Sequence, residues 1–453
     1  MIKVFLPANN QAERQYAAEV LLVEWLGLSV QFQFGETAFA AELTLDNGNR
    51  LLLEDHFFST FPTPLSYLSG DNIPQKVLMI TRTSNPFLSE ADLPILFGND
   101  HLHISQTEVT CGIDIFAATF FMLTRWEEYV LPDRDLHDRF PAKASLAGKS
   151  NFLHRPIVNE MVEMLWGMLM QLGISQKRRN RQFEVLLTHD VDEALLWRSP
   201  GFFLKKLTGD LIKRLDLKAV SFDLKSYFNT RFNGQKDPYN TFDYLMRCAD
   251  RHSLQSHFFF LSGGHSKFDQ PLQLTTPFMR QVFKSIEENG HIIGLHPSYN
   301  TLKDSNLFAL EKKALELATS LPIRHGRQHF LRFEVPTTWQ TWEDHGMSWD
   351  SSLYYPEQPG FRCGVCYPFP VFNFLTRKKL RLTEVPLTAM EVSWTSYLKA
   401  SPDEMLNDML QLHEIVRKYN GTFVMLWHNS SFNTLEWKAY AHVYEQLLEN
   451  YSV

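Results

Sequence analysis

The sequence has few cysteines, no long apolar run and no excess of basic residues. Only four of its 453 residues are cysteine, too few for the disulfide framework that stabilises small secreted domains. No stretch of 18 or more apolar residues occurs, so we expect no membrane span. The formal net charge is −7 and no extended basic patch is present, which argues against nucleic acid as a partner.

The amino-terminal segment does not resemble an export signal. Met1–Pro7 is too short for the apolar part of a signal peptide, and the charged residues Glu13, Arg14 and Glu19 that follow are typical of an amphipathic helix. The few cysteines also fit a reducing compartment. We therefore expect a cytoplasmic protein, which would work at the inner membrane face if its substrate is lipid-linked.

Length and composition predict more than one folded domain. The chain is 44% hydrophobic and 21% charged, as in an ordinary globular protein, and it is long enough for two or three domains. Lys177–Arg181 is a polar, basic break. We place the boundary there, between a mixed α/β N-terminal domain of unknown role (1–180) and a second domain (181–453).

In the second domain, predicted strands alternate with predicted helices, a pattern typical of βα units. The predicted strands are Phe183–Thr188, His257–Leu261, His291–His296, Gln328–Phe333, Met347–Leu353, Leu382–Pro386 and Thr422–His428. Seven such units favour a (β/α) barrel over an open sheet. In such a barrel, functional residues lie at the carboxyl ends of the strands.

Those strand ends carry ionisable residues. Asp190 and Asp192 follow the first strand, and their i, i+2 spacing places them on one side of it. Two carboxylates so close together favour a cation between them, although an acidic loop exposed to solvent would look the same. The other strand-end residues are His296, Arg332, Asp350 and His428.

Five motifs, in this order, resemble the polysaccharide deacetylase family, the NodB-homology or carbohydrate esterase family 4 type. They are Thr188-His189-Asp190-Val191-Asp192, Gly290-His291-Ile292-Ile293-Gly294-Leu295-His296, Arg332-Phe333-Glu334-Val335-Pro336, Trp349-Asp350-Ser351-Ser352 and Leu426-Trp427-His428. The resemblance implies a distorted seven-stranded (β/α) barrel. It also implies a metal-dependent hydrolase that removes N-acetyl groups from an amino sugar in a glycan or lipid-linked glycan intermediate. The N-terminal part resembles the uncharacterised domain that precedes some bacterial deacetylase-like proteins.

The resemblance implies a role for each motif residue. Asp190 would be the catalytic base, oriented by Arg332, while Asp192 and His296 would bind a divalent metal, expected to be zinc, with cobalt or nickel as alternatives. His428 would protonate the departing amine.

Two further roles follow from the same resemblance. Asp350 would set the tautomer of His428 and raise its pKa. Leu426 would line a small pocket for the acetyl methyl group.

The third metal ligand has two candidates. The family usually has a second histidine four residues after the first, where this chain has Asn300, and an amide oxygen is a poorer zinc ligand than imidazole. His329 is the better donor. However, it lies an odd number of residues from Arg332, so both could serve one site only if the strand bends.

Several features complete the expectations. Trp339, Tyr354 and Phe361 are candidate rings for sugar stacking, and the Cys363/Cys366 pair is expected to be structural. Residues 202–218 are expected to form a basic amphipathic helix, which would pack as a lid or make peripheral contact with an anionic membrane. The alternatives for the whole protein are another amide or ester hydrolase on the same fold, or a non-catalytic glycan-binding protein with a degraded metal site.

Overall fold

The structure, a computed structural model, describes residues 1–35 and 40–451, which pack as two compact units. Unit 1 comprises Met1–Glu184, Leu331–Thr388 and Ile415–Thr422. Unit 2 comprises Val185–Phe330, Ala389–Glu414 and Phe423–Val453. The predicted division at residues 180 and 181 stays a prediction, and it did not anticipate that residues 331–388 pack in unit 1.

The strands are short. In chain order they are β1 (Ile2–Pro7), β2 (Val30–Gly35), β3 (Ala40–Thr44), β4 (Arg50–Glu54), β5 (Leu78–Thr81), β6 (Asp92–Ile95), β7 (Gly98–Ile104), β8 (Glu108–Ile113), β9 (Glu184–Val191), β10 (Ser256–Phe260), β11 (Ile292–Leu295), β12 (His325–Gly326), β13 (Trp349–Asp350), β14 (Phe369–Asn373), β15 (Lys378–Glu384), β16 (Ala389–Met390) and β17 (Thr422–Leu426).

The helices lie between these strands. They are α1 (Gln11–Glu19), α2 (Phe57–Thr60), α3 (Ile115–Thr124), α4 (Trp126–Val130), α5 (Leu146–Lys149), α6 (Ile157–Gln171), α7 (Pro200–Thr208), α8 (Leu217–Phe232), α9 (Phe242–Arg251), α10 (Pro277–Glu288), α11 (Ser305–Thr319), α12 (Thr337–Asp344), α13 (Pro402–Lys418) and α14 (Ala441–Tyr451). Each helix of the described residues is too short or too polar to cross a bilayer.

Unit 1 is built around a mixed sheet with strand order β2-β1-β3-β4-β8-β7. In β1, the alternating residues Ile2, Val4 and Leu6 are buried, as the period of two requires of a strand with one face against the core. β3 and β4 pair antiparallel on either side of Asp46–Asn49, whose Asn-Gly step is typical of a hairpin turn. Cys363 and Cys366 are buried free thiols of this unit.

A buried ion cluster lies in unit 1 around Glu128. Arg125 has a left-handed backbone (φ 52°) that separates α3 from α4. The Glu128 carboxylate accepts hydrogen bonds from Arg125 Nε (2.9 Å) and Arg362 Nε (3.0 Å), and from the Tyr355 hydroxyl (3.2 Å). Burial raises the pKa of Glu128, but the two guanidinium groups lower it further, so the carboxylate is ionised.

Unit 2 contains parallel strands in the order β12-β11-β10-β9-β17-β16. The strands approach closely at Gly294, where a Cβ atom would lie 2.7 Å from the carbonyl oxygen of His325. Side chains cap the first turns of two helices of this unit. Thr276 caps α10 through the backbone N–H of Met279 (3.3 Å), and the side chains of Ser401 and Glu404 form a capping box at the start of α13.

Three sequence predictions differ from the structure. The strand expected at Gln328–Phe333 is wrong, because β12 ends at Gly326 and Phe330 and Leu331 have left-handed backbones (φ 59° and 54°) that a strand does not allow. The strands predicted at Met347–Leu353 and Leu382–Pro386 correspond to β13 and β15, which pack in unit 1. The α/β class is confirmed, whereas closure into a seven-stranded barrel is not and stays a prediction.

The third difference concerns residues 202–218. They do not form one helix, because α7 continues as a π-helical turn over Gly209–Arg214 and then stops at Leu215, whose φ is 53°. A new helix, α8, begins at Leu217. The side chain of Asp216 caps it by accepting from the backbone N–H groups of Lys218 and Ala219.

The buried cluster of unit 1 makes a prediction about stability. Glu128→Ala should lower the free energy of unfolding by about 3–5 kcal/mol, because it leaves Arg125 and Arg362 buried without this carboxylate. Glu163→Ala is the matched control. Its carboxylate pairs with Arg178 at 2.7 Å on the surface, and such pairs contribute only about 0–1 kcal/mol. Denaturant unfolding measures both, and equal losses would contradict the assignment.

Candidate metal centre

The candidate site begins at the end of β9. Asp190 belongs to the strand and Asp192 follows it, so the two carboxylates lie on the same side. The intervening His189 has a different environment. Its Nδ1 is 2.7 Å from the Trp427 carbonyl oxygen and its Nε2 is 3.2 Å from Ser256 Oγ. Burial lowers the pKa of His189 to about 4, so this histidine is a neutral structural residue, as expected.

Asp192, His296 and His329 face one another. Asp192 Oδ1 lies 3.2 Å from His296 Nε2 and 3.6 Å from His329 Nε2. The ligand atoms of all three residues are within 4.8 Å of each other. For comparison, a tetrahedral ion with bonds of about 2.0–2.1 Å separates its ligand atoms by about 3.3 Å.

The neighbours of His296 determine which of its nitrogen atoms carries hydrogen. Its Nδ1 lies 2.6 Å from the carbonyl oxygen of Arg327, and a carbonyl only accepts hydrogen bonds. Nδ1 therefore donates, and in the neutral ring Nε2 presents a lone pair towards Asp192 Oδ1. This is the orientation of a metal-binding histidine.

His329 is held in the same way by a carboxylate. Its Nδ1 is 3.0 Å from Asp269 Oδ1, and Asp269 also accepts from the backbone N–H groups of Tyr299 (2.9 Å) and Ser266 (3.0 Å). Burial raises the pKa of Asp269, but these hydrogen bonds lower it to about 2. Asp269 is therefore ionised and holds the Nδ1 hydrogen of His329.

This donor set fits a divalent metal. Asp192 Oδ1 is buried and accepts no hydrogen bond, although about a third of the Asp192 side chain is exposed. An orphaned carboxylate oxygen that faces two imidazole lone pairs is unfavourable unless a cation lies among them. One carboxylate and two imidazoles with an open fourth position is the ligand set of a catalytic zinc site.

The structure separates the two candidates for the third ligand. Asn300 is exposed on the 3-10 turn Tyr299–Lys303, whereas His329 is buried and faces Asp192. The left-handed backbone of Phe330 supplies the bend that His329 needs, and the Phe330 ring packs against Phe268 and Tyr299. The geometry therefore favours His329 over Asn300 as a ligand.

Asp190 is paired with an arginine that the sequence analysis did not select. Arg327 Nη1 donates to Asp190 Oδ1 (2.9 Å) and to Thr188 Oγ1 (2.9 Å). Thr188 Oγ1 in turn donates to the Met425 carbonyl oxygen at 2.8 Å. Arg332, the predicted partner, belongs to unit 1, where its Nε donates to the His137 carbonyl oxygen (2.8 Å). Arg327 is therefore a partner of Asp190, and the predicted role of Arg332 in orienting Asp190 stays a prediction.

His428 is paired with Glu391, which the sequence analysis did not select, and its predicted pairing with Asp350 stays a prediction. His428 Nδ1 lies 2.7 Å from Glu391 Oε1, which also accepts from the His428 backbone N–H (2.9 Å) and from Ser431 Oγ (2.7 Å). His428 Nε2 lies 3.9 Å from Asp192 Oδ2. Burial lowers the pKa of His428, but Glu391 and the nearby aspartates raise it to about 10.

Asp350 has other partners within unit 1. It hydrogen bonds with Ser352 Oγ (2.5 Å) and with Glu384. Burial and the Asp350 charge raise the pKa of Glu384 well above its usual range. The raised pKa favours the neutral, protonated form of Glu384. A catalytic role for Asp350 stays a prediction.

The predicted substrate residues are all buried. In unit 1, the Trp339 indole donates to Glu384 (2.9 Å), and the rings of Tyr354 and Phe361 offer no open face to a sugar, with at most 2% of either residue exposed. The expectation of stacking is therefore wrong for this conformation, because these rings fill the core. Leu426 is buried at the end of β17, and its role as an acetyl pocket stays a prediction.

The sequence analysis missed Arg327, Asp269 and Glu391. Arg327 directly follows β12, but the strand was placed too late in the sequence. Glu391 follows β16, a two-residue strand that gives no periodic signal. The criterion of polar residues at strand ends would have selected both. Asp269 lies in a loop, where no pattern indicates it.

Comparisons with known proteins cover different parts of the chain. A family of unknown function, DUF7033, matches residues 2–173. No curated protein matches this chain.

Solved structures of deacetylase-type proteins are similar to a larger part. A polysaccharide deacetylase candidate from Mycobacterium smegmatis shares 15% identity, with 61% of this chain and 85% of that chain covered and a TM-score of 0.40. A carbohydrate esterase family 4 pseudoenzyme from Bacillus anthracis shares 12% identity, with 59% of this chain and 62% of that chain covered and a TM-score of 0.31. A peptidoglycan N-acetylglucosamine deacetylase shares 16% identity, with 60% of this chain and 84% of that chain covered and a TM-score of 0.30. At these identities and TM-scores the likeness carries no argument about function, which rests on the geometry of the site.

The choice between His329 and Asn300 is testable by metal binding. His329→Ala should weaken zinc binding by more than about 100-fold, since even the outer partners of metal-bound histidines contribute about 10–100-fold. Asn300→Ala is the matched control and should bind as the unaltered protein does. Competition with a chelator measures both affinities. The reverse result would assign Asn300 as the ligand.

Proposed function

We propose that this protein is a metal-dependent hydrolase that removes N-acetyl groups from an amino sugar in a glycan or lipid-linked glycan intermediate. The observation that carries the proposal is the buried Asp192 Oδ1, which faces two imidazole lone pairs and has a second carboxylate and a cationic imidazole beside it. Such a site has the ligands, the base and the acid that amide hydrolysis requires.

Asp192, His296 and His329 would hold the metal. When bound, a divalent metal supplies Lewis-acid chemistry, which polarises an amide carbonyl and makes water more acidic. The donor set favours zinc, with cobalt and nickel as alternatives, because two imidazoles suit these borderline metals better than magnesium or calcium. His296 and His329 are pre-oriented by Arg327 and Asp269, so binding requires little rearrangement.

Asp190 would accept the proton of the attacking water. It lies at the same strand end as Asp192, and its Oδ2 is 3.8 Å from His296 Nδ1, so it is close to the metal ligands without belonging to the Asp192, His296 and His329 set. The ion pair with Arg327 holds one oxygen of Asp190 and leaves the other as the proton acceptor. A base in this position contributes about 10²–10⁴-fold to the rate of hydrolysis.

His428 would donate a proton to the departing nitrogen. An amine leaves an amide poorly unless an acid protonates it, and the carboxylate of Glu391 keeps a hydrogen on His428 Nδ1. His428 Nε2 faces Asp192 from the side opposite to its contact with Glu391. Asp190 and His428 thus provide a proton acceptor and a proton donor around one metal position.

A cavity whose wall begins at Glu193, directly after Asp192, would take the sugar. It has a volume of about 410 Å³, and its wall includes residues that follow directly after Asp192 and Asp269, among them Glu193 and Gln270. Arg198 and Gln273 also line it, together with apolar side chains. Hydrogen-bonding groups on an apolar wall are suited to the hydroxyl groups and ring faces of a carbohydrate.

The non-catalytic alternative assumed a degraded metal site. Its premise was Asn300 in the place of a histidine, and His329 supplies the imidazole that Asn300 lacks. The other alternative, an amide or ester hydrolase with a non-sugar substrate, would use the same residues.

The proposal is tested by acetate release. The protein, loaded with zinc, cobalt or nickel, should release acetate from oligomers of N-acetylglucosamine. Asp190→Asn should lower the turnover by at least about 10²-fold with metal content unchanged, since it removes only the base. Asp192→Asn should lose the metal itself. If the metal-loaded protein releases no acetate from these oligomers, the deacetylase assignment is wrong. If the protein binds none of the three metals, the proposal that it is a metal-dependent enzyme is wrong.

A pair of arginine variants tests which residue serves Asp190. Arg327→Met should lower kcat by roughly 10²-fold or more, with metal content and KM close to those of the unaltered protein, because Arg327 orients the base. Arg332→Met is the control and should keep its kcat. If Arg332→Met lost activity and Arg327→Met did not, the partner that the sequence motif indicated would be the functional one.

A further inference from the structure

An unusual share of the exposed apolar surface lies in one segment of unit 2. Residues 200–232, here called the hairpin, comprise α7, the π-helical turn and α8. Of the 21 large apolar residues that are exposed among the described residues, eight belong to this segment. They are Leu204, Leu211, Ile212, Leu215, Leu217, Leu224, Phe228 and Phe232. Exposed apolar patches of this density mark interaction sites.

The internal packing of the hairpin includes Phe228, whose ring centroid lies 5.8 Å from that of Tyr227 and 6.5 Å from that of Phe203. The rings of Phe203 and Tyr227 stack at 3.9 Å between centroids and join α7 to α8. Lys206 bridges the buried Asp210 (3.1 Å) and Asp223. The two helices are thus joined by aromatic rings and by a buried ion pair, and the exposed leucines and Ile212 add apolar surface on the outside.

The apolar residues of α8 form a stripe. Leu217, Leu224, Phe228 and Phe232 recur at helical spacing, so their side chains leave the helix within about 80° of one another. At the tip of the hairpin, Leu211, Ile212 and Leu215 are 47%, 70% and 77% exposed. Tip and stripe follow one another along the chain at Leu215 and Leu217, and we call them together the apolar edge.

Basic residues flank this edge. The hairpin contains seven Lys and Arg against three Asp, a net charge of +4 in a chain of net charge −7. Two of the three aspartates are buried and paired with Lys206, and Asp216 caps α8. The remaining exposed cations form no ion pair in the part of the chain that the structure describes. They are Lys205, Lys213, Lys218, Lys225 and Arg231.

We propose that the hairpin docks onto an anionic lipid bilayer, with the tip and the stripe in the interface and the flanking cations against lipid phosphates. An apolar face bordered by lysines and arginines is the pattern of a helix that lies in a membrane surface, and each cation near an anionic surface adds to the attraction. The long lysine stems allow the charges to remain at the level of the head groups. The hairpin lies on the surface and does not span the bilayer.

A second copy of this chain fits the same face less well. Contact of the hairpin with itself would bring the exposed cations of both copies together without any carboxylate of the hairpin free to neutralise them. Like charges across an interface are unfavourable, whereas anionic lipids neutralise all of them. The positive charge of the hairpin therefore favours an anionic lipid surface over a second copy of this chain.

The test is sedimentation with lipid vesicles. The protein should bind vesicles of phosphatidylglycerol and phosphatidylcholine, and should bind pure phosphatidylcholine weakly or not at all. Binding should fall as salt is raised from 0.1 to 1 M, since screening removes the electrostatic part. Leu211→Ser/Ile212→Ser/Leu215→Ser and Lys213→Gln/Lys218→Gln/Lys225→Gln should each lower partitioning on the order of 100-fold.

The chain offers a matched control. Leu310 and Leu317 on α11 are 64% and 73% exposed, so Leu310→Ser/Leu317→Ser removes similar apolar surface elsewhere and should leave binding unchanged. Circular dichroism melting shows that each variant is folded. The proposal is overturned if the unaltered protein ignores anionic vesicles, if the control variant loses binding equally, or if light scattering shows a dimer that the Leu211/Ile212/Leu215 variant abolishes. None of these readouts depends on deacetylase activity.

Discussion

Two imidazole lone pairs directed at one carboxylate oxygen are the constraint on which the candidate site depends. His296 and His329 could each rotate away from Asp192, and their Nδ1 hydrogen bonds to the Arg327 carbonyl and to Asp269 prevent this. Each bond fixes both the direction of the ring and the nitrogen that is free. The arrangement is repulsive by itself, so the surrounding fold must hold it in place, and it gains stability from a cation that the three donors share.

The fold provides that support through backbone groups. The Arg327 carbonyl follows directly after β12, and Asp269 is held by the backbone N–H groups of Tyr299 and Ser266. The left-handed backbone at Phe330 is a strained conformation for a bulky residue, and such strain is found where a side chain must be placed for function. Here it turns His329 towards Asp192 while the Phe330 ring packs between Phe268 and Tyr299.

Two aspartates separated by one residue thus have different chemistry. Asp190 is buried and paired with Arg327, whereas Asp192 faces the imidazoles and is partly exposed. The difference arises from their neighbours and not from the residue type. The sequence could predict Asp190, Asp192, His296 and His428, because each ends or follows a strand with a clear apolar period. It could not predict Arg327 or Glu391, because β12 and β16 are two residues long and leave no period. It also assigned Trp339, Tyr354 and Phe361 to a surface, since an aromatic residue in a loop has no signal that separates core from site.

The hairpin is joined to the same strand end as the candidate site. Asp237 accepts hydrogen bonds from the backbone N–H groups of Leu196 and Trp197 on one side and of Tyr239 on the other, so both ends of the excursion are tied together a few residues after Asp192. A segment anchored in this way moves with the end of β9. If its apolar edge lies in a lipid surface, the carboxyl end of β9 is tethered to that surface by a short connection. A substrate whose sugar is attached to a lipid would meet the site there, whereas a free oligosaccharide would gain nothing from the tether. If both proposals hold, the exposed leucines of the hairpin and the cavity that begins at Glu193 would suit a substrate with a carbohydrate at one end and a lipid at the other.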